Sequence, residues 1–292
     1  MTPMLAASLV SGLAVGAMYG LLALGYHVTW VVSRSVNFAQ GSVMMLGAVI
    51  AFSLAVSGGW PMPFAIAAAL IGCAGFGVVL ERVAVRPFRA RGSESWLMAT
   101  VAAGMLVENA AMFLFGKEPR GMPSALARHP VMLFGVGVLP LHIVILLAGL
   151  GLAGLFLLAT RATPYGKALL AVVQNPRAAQ LMGIDAAKVT VFAYALSSAL
   201  AGLAGVLIAP LTNVAADMGF VFGIKGFAAA ILGGLDNPWG AVLAGLLLGL
   251  AEASVTAFAG SGATVMASFG LVILALYLRP HGLFGRAEAR KV

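Results

Sequence analysis

The sequence predicts an all-α membrane protein, a polytopic helix bundle of eight to nine transmembrane segments that include short or broken helices. Three observations lead to this fold class. Hydrophobic residues make up 62% of the 292-residue chain, whereas soluble domains are about 45–50% apolar. Charged residues make up only 9%, which is too few to cover a soluble globule. The apolar residues also form runs near the roughly 20 residues that cross a bilayer.

Nine apolar runs are the predicted membrane segments, and together they make residues 1–292 a single transmembrane domain. Eight runs are clear, and the ninth is weaker because it contains Lys225 and is rich in glycine and alanine. We expect the ninth to be a span or a broken helix pair. In chain order the runs lie at 5–32, 40–57, 62–80, 96–115, 138–159, 189–210, 220–235 (the weak one), 239–258 and 263–278.

Basic residues are concentrated in a few connections, which predicts the orientation of the chain. The formal net charge is +8, and in a soluble protein this balance would suggest nucleic acid as a partner. Here thirteen of the basic residues fall within 33–39, 81–95, 160–188 and the tail from Arg279. Nine crossings place these four segments on one side, which we expect to be the cytoplasm, with the N-terminus outside and the C-terminus inside. No nucleic acid is expected as a partner.

Signatures of soluble enzymes are missing from the sequence. There is no G-x-x-x-x-G-K-[ST] phosphate loop and no H-E-x-x-H pair, and Cys73 is the single cysteine. We therefore predict no catalytic residues, no metal site and no ATP site in this chain. An intramembrane enzyme is one alternative, but it would need a catalytic pair or a metal cluster.

Two carboxylates within apolar runs are candidates for a translocation path. Glu108 lies in the fourth run and Glu252 in the eighth. A charge at bilayer depth costs a few kcal/mol on insertion scales, so such residues usually face the bundle interior or a cavity. The alternative is that each makes a structural hydrogen bond between helices.

A polar stretch from Ser35 to Ser42 separates the first two runs and supplies three more candidates for the path, Asn37, Gln40 and Gly41. Non-helical backbone near the membrane must be buried in protein or line a wet cavity. Helix breaks of this kind often surround the pathway of transporters. An ordinary polar turn at the membrane surface is the alternative.

The loop at 161–188 predicts a short helix that meets a cytoplasmic partner. Asn175 suits an N-cap, Pro176 suits the first helical position, and Gly183 suits the C-terminal stop. Asp185 is expected to cap the next span. A helix of about two turns is marginal alone and needs a surface to pack on, either its own bundle or a partner. The candidate coupling residues are Asn175, Arg177, Ala178, Ala179, Leu181, Met182 and Gly183.

Taken together, several motifs resemble the integral-membrane permeases of bacterial branched-chain amino acid ABC importers. The similarity runs nearly end to end. Three positions depart from the family's common pattern: Arg177 stands where Glu is commonest, Gln40 where His is frequent, and Gly226 where Ala is frequent. The matching segments are Asn37 to Gly41, Glu81 to Pro87, Gly166 to Ile184, Gly223 to Gly234, then Gly240, Ala241, Gly249 and Glu252, and Arg279 to Gly285.

The resemblance implies a subunit of the bacterial inner membrane that pairs with a second permease, two cytoplasmic ATPases and an extracytoplasmic binding protein. It implies that leucine, isoleucine, valine or a related small molecule crosses through the permeases, with ATP used only by the partner subunits and no cofactor held by this chain. Urea or short amides are alternative substrates. An ion-coupled secondary transporter is a further alternative, with Glu108 and Glu252 as its coupling sites.

Overall fold

The computed structural model describes residues 3–127, 129–133, 136–279 and 282–285, and these residues are almost entirely helical. The first elements in chain order are α1 Pro3–Ser33, α2 Gln40–Phe52, a π-helical turn at Ser53–Ser57, α3 Met62–Leu80, a second π-helical turn at Glu81–Val85, α4 Arg86–Ala90 and α5 Trp96–Phe115. A 3₁₀ turn at Ala125–Ala127, β1 Val131–Leu133 and β2 Val136–Val138 precede α6 Pro140–Ala162. Then come α7 Pro164–Gln174, α8 Pro176–Leu181, α9 Ala186–Thr212, α10 Met218–Gly233, α11 Pro238–Ala259, a 3₁₀ turn at Ser261–Ala263 and α12 Thr264–Leu278.

The predicted all-α membrane fold is confirmed, and each predicted run corresponds to a helix. Within the described ranges, eight helical segments are long and apolar enough to cross a membrane, and Met218–Gly233 is a shorter apolar helix in the place of the weak run. The strands β1 and β2 form one small antiparallel hairpin within the 116–137 connection. Pro280, His281 and the basic residues Arg128, Arg286, Arg290 and Lys291 lie outside the described residues.

The described residues form two compact units. The first contains Met1–His27, Ser124–Ala153 and Lys225–Val292, and the second contains Val28–Pro123 and Gly154–Ile224. The expectation of a single domain across 1–292 stays a prediction. Each unit has its own packing logic.

In the second unit, α2, α3, α5 and α9 pack closely through small residues. A Cβ on Gly47 would overlap the backbone of Gly202, and a Cβ on Gly205 would overlap the carbonyl of Met44. Lipid provides no hydrophobic drive for helix association, so close backbone approach through small residues supplies much of the packing. A cluster around Phe52, Phe115 and Met122 then fills one end of this bundle.

In the first unit, two stripes of small residues meet face to face. A Cβ on Gly16 would lie 2.8 Å from the carbonyl oxygen of Gly245, and one on Gly20 would lie 3.3 Å from Val242. The glycines recur every fourth residue, so they share one face of each helix. The early part of α1 therefore crosses α11 at a distance that larger side chains would not allow.

The turn of π-helix at Glu81–Val85 joins α3 to α4 and places an ion pair. In a π-helix, residues five apart align along the axis. Arg86 Nε accordingly donates to Glu81 Oε1 at 3.1 Å, and Arg86 Nη2 lies 3.0 Å from Glu81 Oε2. Glu81 is buried, so this pair holds a carboxylate at the base of α3.

Candidate functional site

The polar turn before α2 is closed by its own amides. Asn37 and Gln40 are fully buried. The Oδ1 atom of Asn37 accepts from the backbone N–H of Ala39 at 3.0 Å, and its Nδ2 donates to Gln40 Oε1 at 3.2 Å. Gln40 Nε2 donates to the carbonyl of Ser197, and the Ser197 hydroxyl donates back to Gln40 Oε1 at 3.0 Å. The turn and the middle of α9 therefore share one hydrogen-bonded network.

The remaining two candidates near this turn bring α2 against its neighbours. A Cβ on Gly41 would lie 2.9 Å from the Cα of Gly223 in α10, so only glycine permits that approach. The hydroxyl of Ser42 donates to Glu108 Oε1 at 2.9 Å. Glu108 is half-buried, and this bond links α5 to α2. The assignment of Asn37, Gln40, Gly41 and Glu108 to a translocation path stays a prediction.

Replacement of Asn37 by Leu separates the two roles of the turn. The change removes the acceptor for the Ala39 amide and one donor to Gln40, and unsatisfied buried groups cost about 1–3 kcal/mol each. We expect impaired uptake at an unchanged amount of subunit in the membrane, measured by initial rates and immunoblotting. Normal uptake kinetics in this variant would reject a role for the turn beside the path.

The other acidic candidate, Glu252, belongs to a buried cluster in the first unit. Its Oε1 lies 2.9 Å from Lys225 Nζ and accepts from the hydroxyl of Ser268. Its Oε2 accepts from the hydroxyl of Tyr19 at 2.8 Å, while Lys225 Nζ lies 5.7 Å from the centre of the Tyr19 ring. A buried charge is tolerated when it is paired and hydrogen-bonded. This cluster therefore locks α1, α10, α11 and α12 together.

A small cavity of about 190 Å³ adjoins this cluster. Its wall includes the carboxylate-bearing Glu252 and hydroxyl groups of Ser8, Ser11, Thr256 and Thr264. The Thr256 and Thr264 hydroxyls lie 3.1 Å apart. Glu252 thus faces both a paired lysine and a polar cavity, which keeps the path assignment and the structural alternative open; the path assignment stays a prediction.

The 161–188 loop contains two helices rather than the one predicted. The amphipathic α7 precedes the expected helix, and it begins with the same signals, since Thr163 caps it by accepting from the amide of Gly166 and Pro164 follows. Leu169 and Val172 are buried. The Thr-Pro pair was visible in the sequence and would have predicted α7.

The predicted helix α8 has the expected ends. Asn175 Oδ1 accepts from the amides of Arg177 and Ala178, each at 3.1 Å. Gly183 has φ +84°, and its amide donates to the carbonyl of Gln180 while the Ile184 amide donates to that of Ala179. This pair of bonds is a Schellman motif, which favours glycine at the left-handed position.

The next span is capped as expected. Asp185 accepts from the amides of Ala187 and Lys188 at the start of α9. The pKa of the Asp185 carboxyl lies below its ordinary value, chiefly because the Lys188 amide donates to it.

The side chains of α8 divide into an inward and an outward set. Ala179 is only 4% exposed and packs inward, so the expectation that both alanines are available to a partner is wrong for Ala179. Arg177 and Ala178 are exposed, and Leu181 and Met182 are 89% and 82% exposed. The inward alanine fits the alternative of packing on the protein's own bundle, while the outward apolar pair is free to meet a partner.

Comparison with known families identifies the chain. A model of the permease component of branched-chain amino acid transport systems matches residues 8–277. The chain belongs to this family. Its fold and its eight apolar helices agree with a multi-pass permease of the inner membrane.

Relatives of this permease support the assignment over its whole length. It is 35% identical to the high-affinity branched-chain amino acid transport system permease protein BraD of Pseudomonas aeruginosa, with 97% of both chains covered. It is 29% identical to LivH of Escherichia coli K12, with 97% of this chain and 96% of that protein covered. A probable LivH from Methanocaldococcus jannaschii is 32% identical, with 91% and 88% covered.

A solved structure shows the same fold at low sequence identity. PsaBC from Streptococcus pneumoniae, in complex with Fab, superposes on this permease with a TM-score of 0.50 and 13% identity. The match covers 95% of this chain and 92% of that one.

Proposed function

We propose that this chain is a permease subunit of an ATP-driven importer for leucine, isoleucine and valine. It forms the translocation path with a second permease, takes substrate from an extracytoplasmic binding protein and is driven by two cytoplasmic ATPases. The observation that carries the proposal is α8, a capped helix with two exposed apolar side chains, in a chain that belongs to a transport permease family.

The proposed coupling follows from the absence of an ATP-binding sequence motif in this chain. Movement must then be transmitted through a contact with the subunits that bind ATP, because a state change requires differential interaction with the two states. In α8 the inward Ala179 ties the helix to α9 through a short connection, and Leu181 and Met182 are presented outward. A shift of α8 therefore pulls directly on a membrane span.

An ion-coupled mechanism finds less support in the geometry. Glu252 is already paired with Lys225 at 2.9 Å and receives two hydroxyl donors. Glu108 receives the hydroxyl of Ser42. A midplane coupling site needs a carboxylate that exchanges its ion during the cycle, and the Lys225 ammonium competes for that position at Glu252.

The proposed orientation places the segments 81–95 and 160–188 in the cytoplasm. One cleft in the second unit is lined by Arg86 and Arg89 from the first segment and by Pro176 and Gln180 from the second, which supports their lying on the same side. We expect single cysteines at Arg82 and Arg177, in a Cys73→Ser background, to react with an impermeant maleimide only from the cytoplasmic side. Labelling of these two positions from opposite sides would contradict this topology.

Uptake in proteoliposomes tests the function itself. The four transporter subunits are reconstituted with the binding protein, and labelled leucine is offered with ATP inside. We expect uptake that isoleucine and valine compete for, and no uptake with ATPases whose catalytic glutamate is replaced by glutamine. Competition by urea or acetamide alone would reassign the substrate, and uptake driven by a proton gradient without ATP would reject the proposal.

A further inference from the structure

A basic cleft opens beside α8 and has no role in the contacts described so far. Its volume is about 360 Å³, which exceeds the space of a few water molecules at about 30 Å³ each. The π-helical turn at Glu81–Val85, α4, α7, α8 and the first turn of α9 contribute its wall. The cleft thus lies between the two basic connections.

The charges on the cleft wall are unbalanced. Of its two arginines, Arg86 is held by the buried Glu81 in a two-atom contact. Arg89 is exposed, and no carboxylate lies within ion-pair distance of it among the residues that the structure describes. One guanidinium is therefore left to attract a negative group at the mouth of the cleft.

The nearest acidic residue outside the wall is not available to Arg89. Asp185 precedes the wall residues Ala186 and Ala187, but its carboxylate accepts from the amides of Ala187 and Lys188. Its second oxygen lies 3.6 Å from Lys188 Nζ. The charge complement of Arg89 must come from outside this part of the chain.

We propose that this cleft receives an acidic side chain of the partner ATPase, a proposal that rests on the importer function above. The cleft is continuous with α8, since Pro176 and Gln180 form part of its wall and Leu181 and Met182 follow on the same helix. A subunit that covers the apolar pair also covers the mouth of the cleft. The contact then works in both directions, with α8 against the ATPase and an Asp or Glu of the ATPase against Arg89. A guanidinium pairs with a carboxylate through two parallel hydrogen bonds, which adds orientation as well as attraction.

The test measures binding of the ATPase subunits to the permease pair in lipid nanodiscs. Arg89→Glu should weaken binding by at least about tenfold, because like charges facing each other in an interface are strongly unfavourable. Arg89→Ala should weaken it less and flatten its dependence on salt. The matched control is Arg82→Glu, which reverses a charge on the same segment outside the cleft wall and should weaken binding by less than about threefold.

Further arms decide between the possible outcomes. Equal effects of Arg82→Glu and Arg89→Glu would overturn the proposal, since they would indicate attraction by the general positive field. A loss with Arg89→Glu that occurs only in nanodiscs with anionic lipid would also overturn it and assign the cleft to a lipid headgroup. Leu181→Asp serves as a reference: if it abolishes binding while Arg89→Glu does not, the cleft proposal fails and the importer function stands. Size-exclusion profiles exclude unfolded variants, and Arg89→Ala supplies a second variant if Arg89→Glu does not fold.

Discussion

Replacing Leu181 and Met182 together by Asp is expected to release the ATPases from the permease and to abolish ATP-driven uptake. Both side chains are almost fully exposed on α8. Covering each of them would contribute about 1.5–3 kcal/mol, so their loss and the burial of two carboxylates should weaken the contact by well over about a hundredfold. Co-purification of the ATPases and initial uptake rates measure the effect.

The permease itself should remain intact in this variant, because the substituted side chains contribute almost nothing to its own packing. Met132→Asp is the matched control, since Met132 is a 76% exposed apolar residue in the 116–137 connection that the charge pattern places outside. It should leave ATPase binding unchanged. If the double variant at 181 and 182 retains both assembly and uptake, α8 does not contact the ATPases.

Breaking the ion pair between Lys225 and Glu252 is the second substitution with a large expected effect. Removal of one partner from a buried pair costs about 3–5 kcal/mol, because the other charge is left uncompensated. Lys225→Met and Glu252→Gln should therefore each lower the thermal stability and the folded yield of the solubilised subunit. The combined variant should be more stable than either single one, since the buried site is then neutral.

The double-mutant cycle also separates structure from transport. A coupling free energy between the two residues, measured from the four stabilities, gives the strength of the pair. If the combined variant folds and still transports leucine at the wild-type rate, Glu252 serves only to hold the helices. If it folds but does not transport, Glu252 contributes to the path. Additive losses in the two single variants would contradict the pairing described here.

The spans and the ends of α8 were predictable from local signals. Apolar runs predicted the helices to within a few residues, because hydrophobic length is itself the requirement for crossing a bilayer. Asn175, Pro176 and Gly183 predicted α8 because each residue type satisfies a backbone requirement at a helix end. The same Thr-Pro signal at the start of α7 was present but went unused.

Contacts between distant parts of the chain were not predictable in the same way. Lys225 and Tyr19 are Glu252's partners, and their separations of 27 and 233 residues leave no periodic trace. The π-helical turn that pairs Glu81 with Arg86 differs from an α-helix only by a small change in backbone geometry. The inward orientation of Ala179 depends on how α8 lies on its bundle, which the pattern of small residues alone does not specify.

The central claim is that α8 transmits ATP hydrolysis to the membrane spans, and one pair of substitutions tests it most directly. Gly183 has φ +84°, and no atom lies within 4 Å of a Cβ built there. A substitution therefore acts through the backbone conformation alone: asparagine tolerates the left-handed region, whereas β-branched valine does not. The measurement is the number of leucine molecules taken up per ATP hydrolysed in proteoliposomes. We expect Gly183→Asn to keep the wild-type ratio and Gly183→Val to lower it severely with the permease still inserted. A wild-type ratio in both variants would contradict the claim.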